Sequence, residues 1–244
     1  IMIYNPSTGD RQGPLTFDVI TQHDAVYTQP HLYDGDEEVP VHITDVRDDM
    51  LLRYVPFSGL VGQLPVRIFH LTADVGSVPA TGYRTLQVRL EAPHARPVQG
   101  LVTGSNSMEN EYLRVEVNTD ATLNVMDKTT GKTYRSIHQF IDEGEAGCGF
   151  MHTPPLNDAM CVSTGKALEL CVVENCAMRG VLQISQVMTV PKNLRADGTG
   201  RSEQTTDLFL TTRVILDRGS RHIEFETTVD NTAKQHRLRI GFAT

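Results

Sequence analysis

The chain has no tryptophan, and phenylalanine and tyrosine bring its aromatic content to only 6%. Modules that hold sugars by stacking them on exposed rings draw on such side chains, so this composition argues against a free-standing carbohydrate-binding module. Long apolar runs are missing too: none approaches the roughly 18 residues that a bilayer-spanning helix needs. The opening Ile1-Met2-Ile3-Tyr4-Asn5-Pro6 has neither the basic region nor the apolar stretch of a signal peptide. Basic charge is also short, with 22 Lys and Arg against 30 Asp and Glu, a net charge of -8, and a sequence pI near 5.6. Nucleic acid and anionic membranes gain nothing from meeting a net acid, so neither is expected as a partner.

Cysteine is scarce as well. Cys148, Cys161, Cys171 and Cys176 stand at spacings that match no zinc motif. A chain of 244 residues can bury a sizeable core without disulfides. Reduced thiols are therefore expected, and with them a cytoplasmic, bacterial protein. No Asn-X-Ser/Thr site survives either, because Pro6 spoils Asn5-Pro6-Ser7.

Helical periodicity is almost absent, while period-two alternation recurs. Leu15 to Ile20, Arg84 to Leu90, Val181 to Val187 and Arg221 to Thr227 each place apolar and polar residues on opposite faces. The stretch from Glu109 to Tyr134 reads as two strands and two turns. Tyr112, Leu113, Val115 and Val117 feed one strand, Asn118-Thr119-Asp120 turns, Leu123 and Val125 feed the next, and Asp127 to Lys132 turns again. The fold class is all-β. Two prolines in the polar run from Glu91 to Gly100 cannot serve a central strand. They predict an immunoglobulin-like sandwich over 1–92, a linker over 93–100 and a second β-region over 101–244. The last strand, Leu238 to Phe242, has no closing turn and is expected to end unpaired, as if a larger sandwich continued beyond it.

Three segments carry a family resemblance. They are Val78-Pro79-Ala80-Thr81-Gly82-Tyr83-Arg84, the stretch from Glu109 to Tyr134, and Thr228-Val229-Asp230-Asn231-Thr232-Ala233-Lys234-Gln235-His236-Arg237-Leu238-Arg239. In this order they resemble the C-terminal all-β region of glycoside hydrolase family 38, the α-mannosidases. The resemblance implies that residues 101–244 form the N-terminal part of a large, galactose-mutarotase-like β-sandwich. It also implies a parent that is a retaining glycosidase acting on an α-mannoside or a related sugar. Its zinc would sit in an N-terminal α/β catalytic domain that this chain lacks, held by two His and two Asp. None of the nine histidines here opens a His-X-Asp motif, so the chain by itself is expected to be inactive and without a cofactor. It would scaffold the catalytic domain, with homo-oligomerisation left open.

One segment looks like a site. Asp142 to Asp158 combines three glycines, two prolines, an aromatic residue and a polar cluster, too irregular for a strand. The family carries a comparable loop that leans toward the catalytic domain. By that resemblance Phe150, His152 and Asp158 are expected at the rim of the sugar pocket. Read from the residues alone, the same segment could be an ordered loop that packs on its own sandwich. In His236-Arg237-Leu238-Arg239, alternation puts the two arginines on one face, where strand acids such as Glu224 or Glu226 are the expected partners. The competing classes are a carbohydrate-binding module and a structural β-sandwich without catalysis.

Overall fold

Alternation of buried and exposed side chains sets the architecture. The computed structural model describes residues 1–23, 28–54, 61–93, 99–163 and 167–243. Among them there is no helix, and the fold is all-β. Residues 94–98 of the expected linker lie outside the described residues. The chain divides into two compact units, Ile1–Gln99 with Cys176–Met178, and Gly100–Asn175 with Arg179–Thr244.

The first unit holds β1 (Met2–Tyr4), β2 (Arg11–Gln22), β3 (Gln29–Asp34), β4 (Glu37–Val39), β5 (Val41–Tyr54), β6 (Val61–Val78), β7 (Tyr83–Thr85) and β8 (Gln87–Glu91). They form the sheets β2-β6-β5 and β4-β3-β8 and the ribbon β1-β7. Its core gathers Val19, Leu32, Phe69, Leu71, Ala73 and Leu86. Leu86 also explains a departure from the sequence reading. The expected strand from Arg84 to Leu90 is two short strands, because the chain turns Leu86 into the core, pairing β7 with β1 and β8 with β3.

The second unit holds β9 (Val102–Gly104), β10 (Ser107–Glu109), β11 (Leu113–Val117), β12 (Leu123–Asp127), β13 (Thr133–Ile137), β14 (Gln139–Gly144), β15 (Cys161–Val162), β16 (Glu169–Asn175), β17 (Arg179–Pro191), β18 (Thr205–Asp217), β19 (Glu224–Asp230) and β20 (His236–Gly241). Its sheets are β13-β12-β11-β10-β9, β16-β17-β18-β19 and β15-β14-β20, all antiparallel. Strand β11 alternates strictly, with Leu113, Val115 and Val117 buried and Arg114 and Glu116 outside. The turn after β12 forms because Asp127 accepts the Thr129 N–H and the Thr130 hydroxyl, both at 2.8 Å. Gly131 completes it with a φ of 73°, which other residues reach only under strain.

Two cores result. Met108, Val115, Leu123, Leu182, Val214 and Leu216 join the five- and four-stranded sheets, and Phe140, Met188, Val190, Leu208 and Leu210 form a second cluster. Each fully buried aliphatic side chain contributes about 1.5–3 kcal/mol. None of the four cysteines is in a disulfide. The last strand corrects an expectation: β20 is not unpaired, but runs antiparallel to β14 from Gln139↔Gly241 to Gly144↔His236. The partner lies about a hundred residues upstream, beyond the reach of any local pattern.

Candidate functional site

The pairing of β14 with β20 builds the base of the candidate site. Alternation turns Phe140 and Asp142 to the face they share with His236, Leu238 and Ile240, and turns Glu143 to the other face with Arg237 and Arg239. The inward side carries a charge network. The Asp142 carboxylate has no solvent exposure. One of its oxygens pairs with Arg201 Nη2 and the other with His236 Nδ1. Arg201 Nη1 also donates to the Ala159 carbonyl at 3.2 Å, tying the end of the following loop to the strand. His236 Nε2 faces Asn231 Oδ1 at 3.0 Å. A buried carboxylate is tolerated only with such partners, because its desolvation otherwise outweighs them.

From this base rises the loop Glu145–Asp158, and its carboxylates hold it. Asp158 accepts the Gly144 N–H on both oxygens, at 3.0 and 3.1 Å. Glu145 Oε1 accepts the N–H groups of Gly147 at 2.8 Å and Thr153 at 2.9 Å, while Oε2 bonds His152 Nδ1. The Thr153 N–H, and then His152, pull the Glu145 carboxyl down to about 2. Above it the backbone closes a small hairpin. Ala146 donates to Thr153 O at 2.8 Å, and Cys148 and Met151 exchange bonds at 3.3 and 3.2 Å. Gly149 and Phe150 form its tip.

The three residues named from the sequence sit on this loop with different surroundings. Phe150 is fully exposed at the tip, 103% against its reference state. His152 is partly covered, bridging Glu145 and Glu143, the latter through Nε2 at 3.4 Å. Asp158 spends both oxygens on the loop's own backbone. The base is therefore ordered by the sandwich through buried Pro155, which an added Cβ at Gly144 would meet at 2.8 Å. The tip, by contrast, is bare.

The outer face of the base gathers charge. Glu143 receives Arg239 Nη2 at 2.7 Å and Arg237 Nη1 at 3.5 Å. This corrects the expected pairing with Glu224 or Glu226: β20 lies beside β14 and not beside β19. Among the described residues, no three His, Cys, Asp or Glu side chains gather into a group that could hold a metal ion.

Two solved structures from Enterococcus faecalis share this fold. One is an α-mannosidase of strain V583, with a TM-score of 0.82 at 20% identity over 98% of this chain and 30% of that one. The other is a protein of glycosyl hydrolase family 38, with a TM-score of 0.83 at 20% identity over 98% and 32%. The fold is that of part of a family 38 enzyme. In sequence, the chain is 27% identical over 151 residues to a protein of Halalkalibacterium halodurans provisionally named mannosylglycerate hydrolase, matching 56% of this chain and 17% of that relative. No family profile matches the chain. It thus spans less than a third of the length of each family 38 structure and less than a fifth of its sequence relative.

Sequence reasoning had not singled out the scaffold beneath the loop: Asp142, Glu145, Arg201 and Asn231. The run Asp142-Glu143-Gly144-Glu145 held part of the signal. Consecutive acids on a strand must face opposite sides, so one of the first two had to be buried and paired.

Proposed function

We propose that this chain is the non-catalytic β-region of a retaining α-mannosidase-like glycoside hydrolase. It scaffolds an α/β catalytic domain carried elsewhere in the parent polypeptide and lends the loop Glu145–Asp158 to the sugar pocket. The observation that carries this reading is Phe150, a fully exposed aromatic on a hairpin whose base is fixed by Glu145, Asp158 and Arg201. Burying an aromatic ring is worth about 1.5–3 kcal/mol, so a ring left fully in solvent fits a surface that meets something else. His152 beside it supplies a hydrogen-bonding group at the same rim. Family 38 likeness over nearly the whole chain, and over under a third of each neighbour, supports a glycosidase parent with further domains. Zinc, in this reading, belongs to the catalytic domain carried elsewhere in the parent.

The test is kinetic. The full-length parent hydrolyses an aryl α-mannoside and binds stoichiometric zinc, whereas the 244-residue chain does neither. Phe150→Ala and His152→Ala in the parent each lower kcat/KM by about 1–3 kcal/mol of transition-state stabilisation, the scale of one lost pocket contact. A parent that shows unchanged kcat/KM for both variants has no loop in its pocket.

A further inference from the structure

The ribbon formed by β1 and β7 has two unlike faces. Inward, Ile3 packs on the core of the first unit, and Arg84 donates from Nη1 to Val75 O at 2.8 Å while Nη2 pairs with Asp34. Outward stand Met2, Tyr4, Tyr83 and Thr85, because the register sets Tyr4 opposite Tyr83 and Met2 opposite Thr85. Residues directly paired across a ladder share a face and lie side by side. Tyr4 is 62% exposed and Tyr83 63%, so both rings offer open surface to solvent. The edge of this platform adjoins a cleft of about 390 Å³, lined by Ile1, Met2, Tyr33, Asp34, Leu86 and Gln87 among others. That volume falls within the range of small-ligand sites.

These side chains match one ligand chemistry closely. A pyranose presents an apolar face of C–H groups and a rim of hydroxyls. Tyrosine rings offer the apolar surface and polar edges for such a ring, and a carboxylate and an amide offer acceptors and donors for the hydroxyls. Asp34 is held by Arg84, so its position is fixed before any ligand arrives. The Asp34 carboxylate in that lining is already paired with Arg84, which suits a neutral sugar better than a charged ligand.

We propose that Tyr4 and Tyr83 form a stacking platform for a neutral glycan, with a sugar ring entering the adjoining cleft against Asp34 and Gln87. The proposal rests on the reading of the parent as a carbohydrate-active enzyme, and it assigns a binding role to the first unit, where the sequence composition had argued against stacking. The 6% aromatic content is low on average, but the fold places two of the seven tyrosines side by side in solvent.

Affinity electrophoresis of the full-length parent in gels containing a soluble α-mannan, and separately a β-glucan, tests it. The wild-type protein is retarded by at least one of the two. The Tyr4→Ala/Tyr83→Ala double variant, with its melting temperature preserved, loses about tenfold in apparent affinity, while the Tyr4→Phe/Tyr83→Phe pair keeps its retardation. No retardation of the wild type by either polysaccharide overturns the proposal, as does equal retardation of the alanine variant. So does hydroxyl-radical footprinting that finds both rings shielded in the ligand-free parent, since another part of the polypeptide would then cover them. The gel reads binding independently of hydrolysis. A parent without mannosidase activity therefore defeats the function proposed above and leaves this readout intact, whereas an active parent with no retardation defeats the platform alone.

Discussion

The imidazole of His138 lies stacked on the phenyl ring of Phe225, with centroids 4.7 Å apart and planes 23° apart. Phe140 and Phe242 approach the same imidazole edge-on. The side chain is buried, and neither ring nitrogen has a hydrogen-bond partner. Burial pushes the imidazole from its usual 6.5 down to about 4. The sign follows directly. As pH falls below 6.5 the unfolded chain takes up a proton that the folded chain refuses until about 4, so stability is fully present above 6.5 and drains away across that window. The expected loss is about 3 kcal/mol. Denaturant titrations at pH 7 and pH 4.5 measure it. His138→Phe keeps a ring in the box, removes the orphaned nitrogens and flattens this slope, with a gain of about 1–3 kcal/mol at neutral pH.

Arg201→Met is expected to be costly. It leaves the Asp142 carboxylate buried with His236 alone and takes the donor from the Ala159 carbonyl. Breaking a buried pair on one side costs about 3–5 kcal/mol. Urea unfolding gives the loss, and limited proteolysis at the loop reports the release of its far end. A loss below about 1 kcal/mol would show that water replaces the guanidinium without penalty.

Acid should also loosen the loop, at a lower pH than the one at which His138 weakens the sandwich. The Glu145 carboxyl is held near 2 in the folded chain against a usual 4.5. Its bonds to the Thr153 and Gly147 N–H groups are therefore intact above 4.5 and lost as pH falls toward 2. Amide exchange at Gly147 and Thr153, followed down that range, is expected to accelerate by more than exchange at the strand amides. Glu145→Gln should show the faster exchange already at neutral pH.

Two phenylalanines ten residues apart should behave in opposite ways. Phe140, 1% exposed in the second cluster of the larger unit, is expected to cost about 3–5 kcal/mol when cut to alanine. Phe150→Ala should change stability by less than about 0.5 kcal/mol. Equal losses for the two would mean that the hairpin tip belongs to the core in solution.

The all-β character was legible because it is local. Alternation from Leu113 to Val117 and the Asp127–Gly131 turn need only neighbouring residues, and both form where the pattern put them. The resemblance to family 38 was legible for a similar reason, resting on contiguous segments. What the pattern could not give was pairing between distant strands. Arg239 meets Glu143, 96 residues away, because β20 chooses β14. The break at Leu86 escaped notice since alternation continues through it, while the chain changes sheets. His138 looked like one of several scattered histidines until three aromatic rings, contributed by β14, β19 and the segment after β20, closed around it.

Strand β14 carries two acids back to back, Asp142 facing Arg201 and His236, and Glu143 facing Arg237 and Arg239. A slip of one residue against β20 would reverse every side chain of the strand. Phe140 would turn to water, Asp142 would leave its cations, and Glu143 would enter the interior without its arginines. Both faces thus penalise the same mistake. The ion pairs on its two sides therefore specify one and the same alignment of β14 against β20.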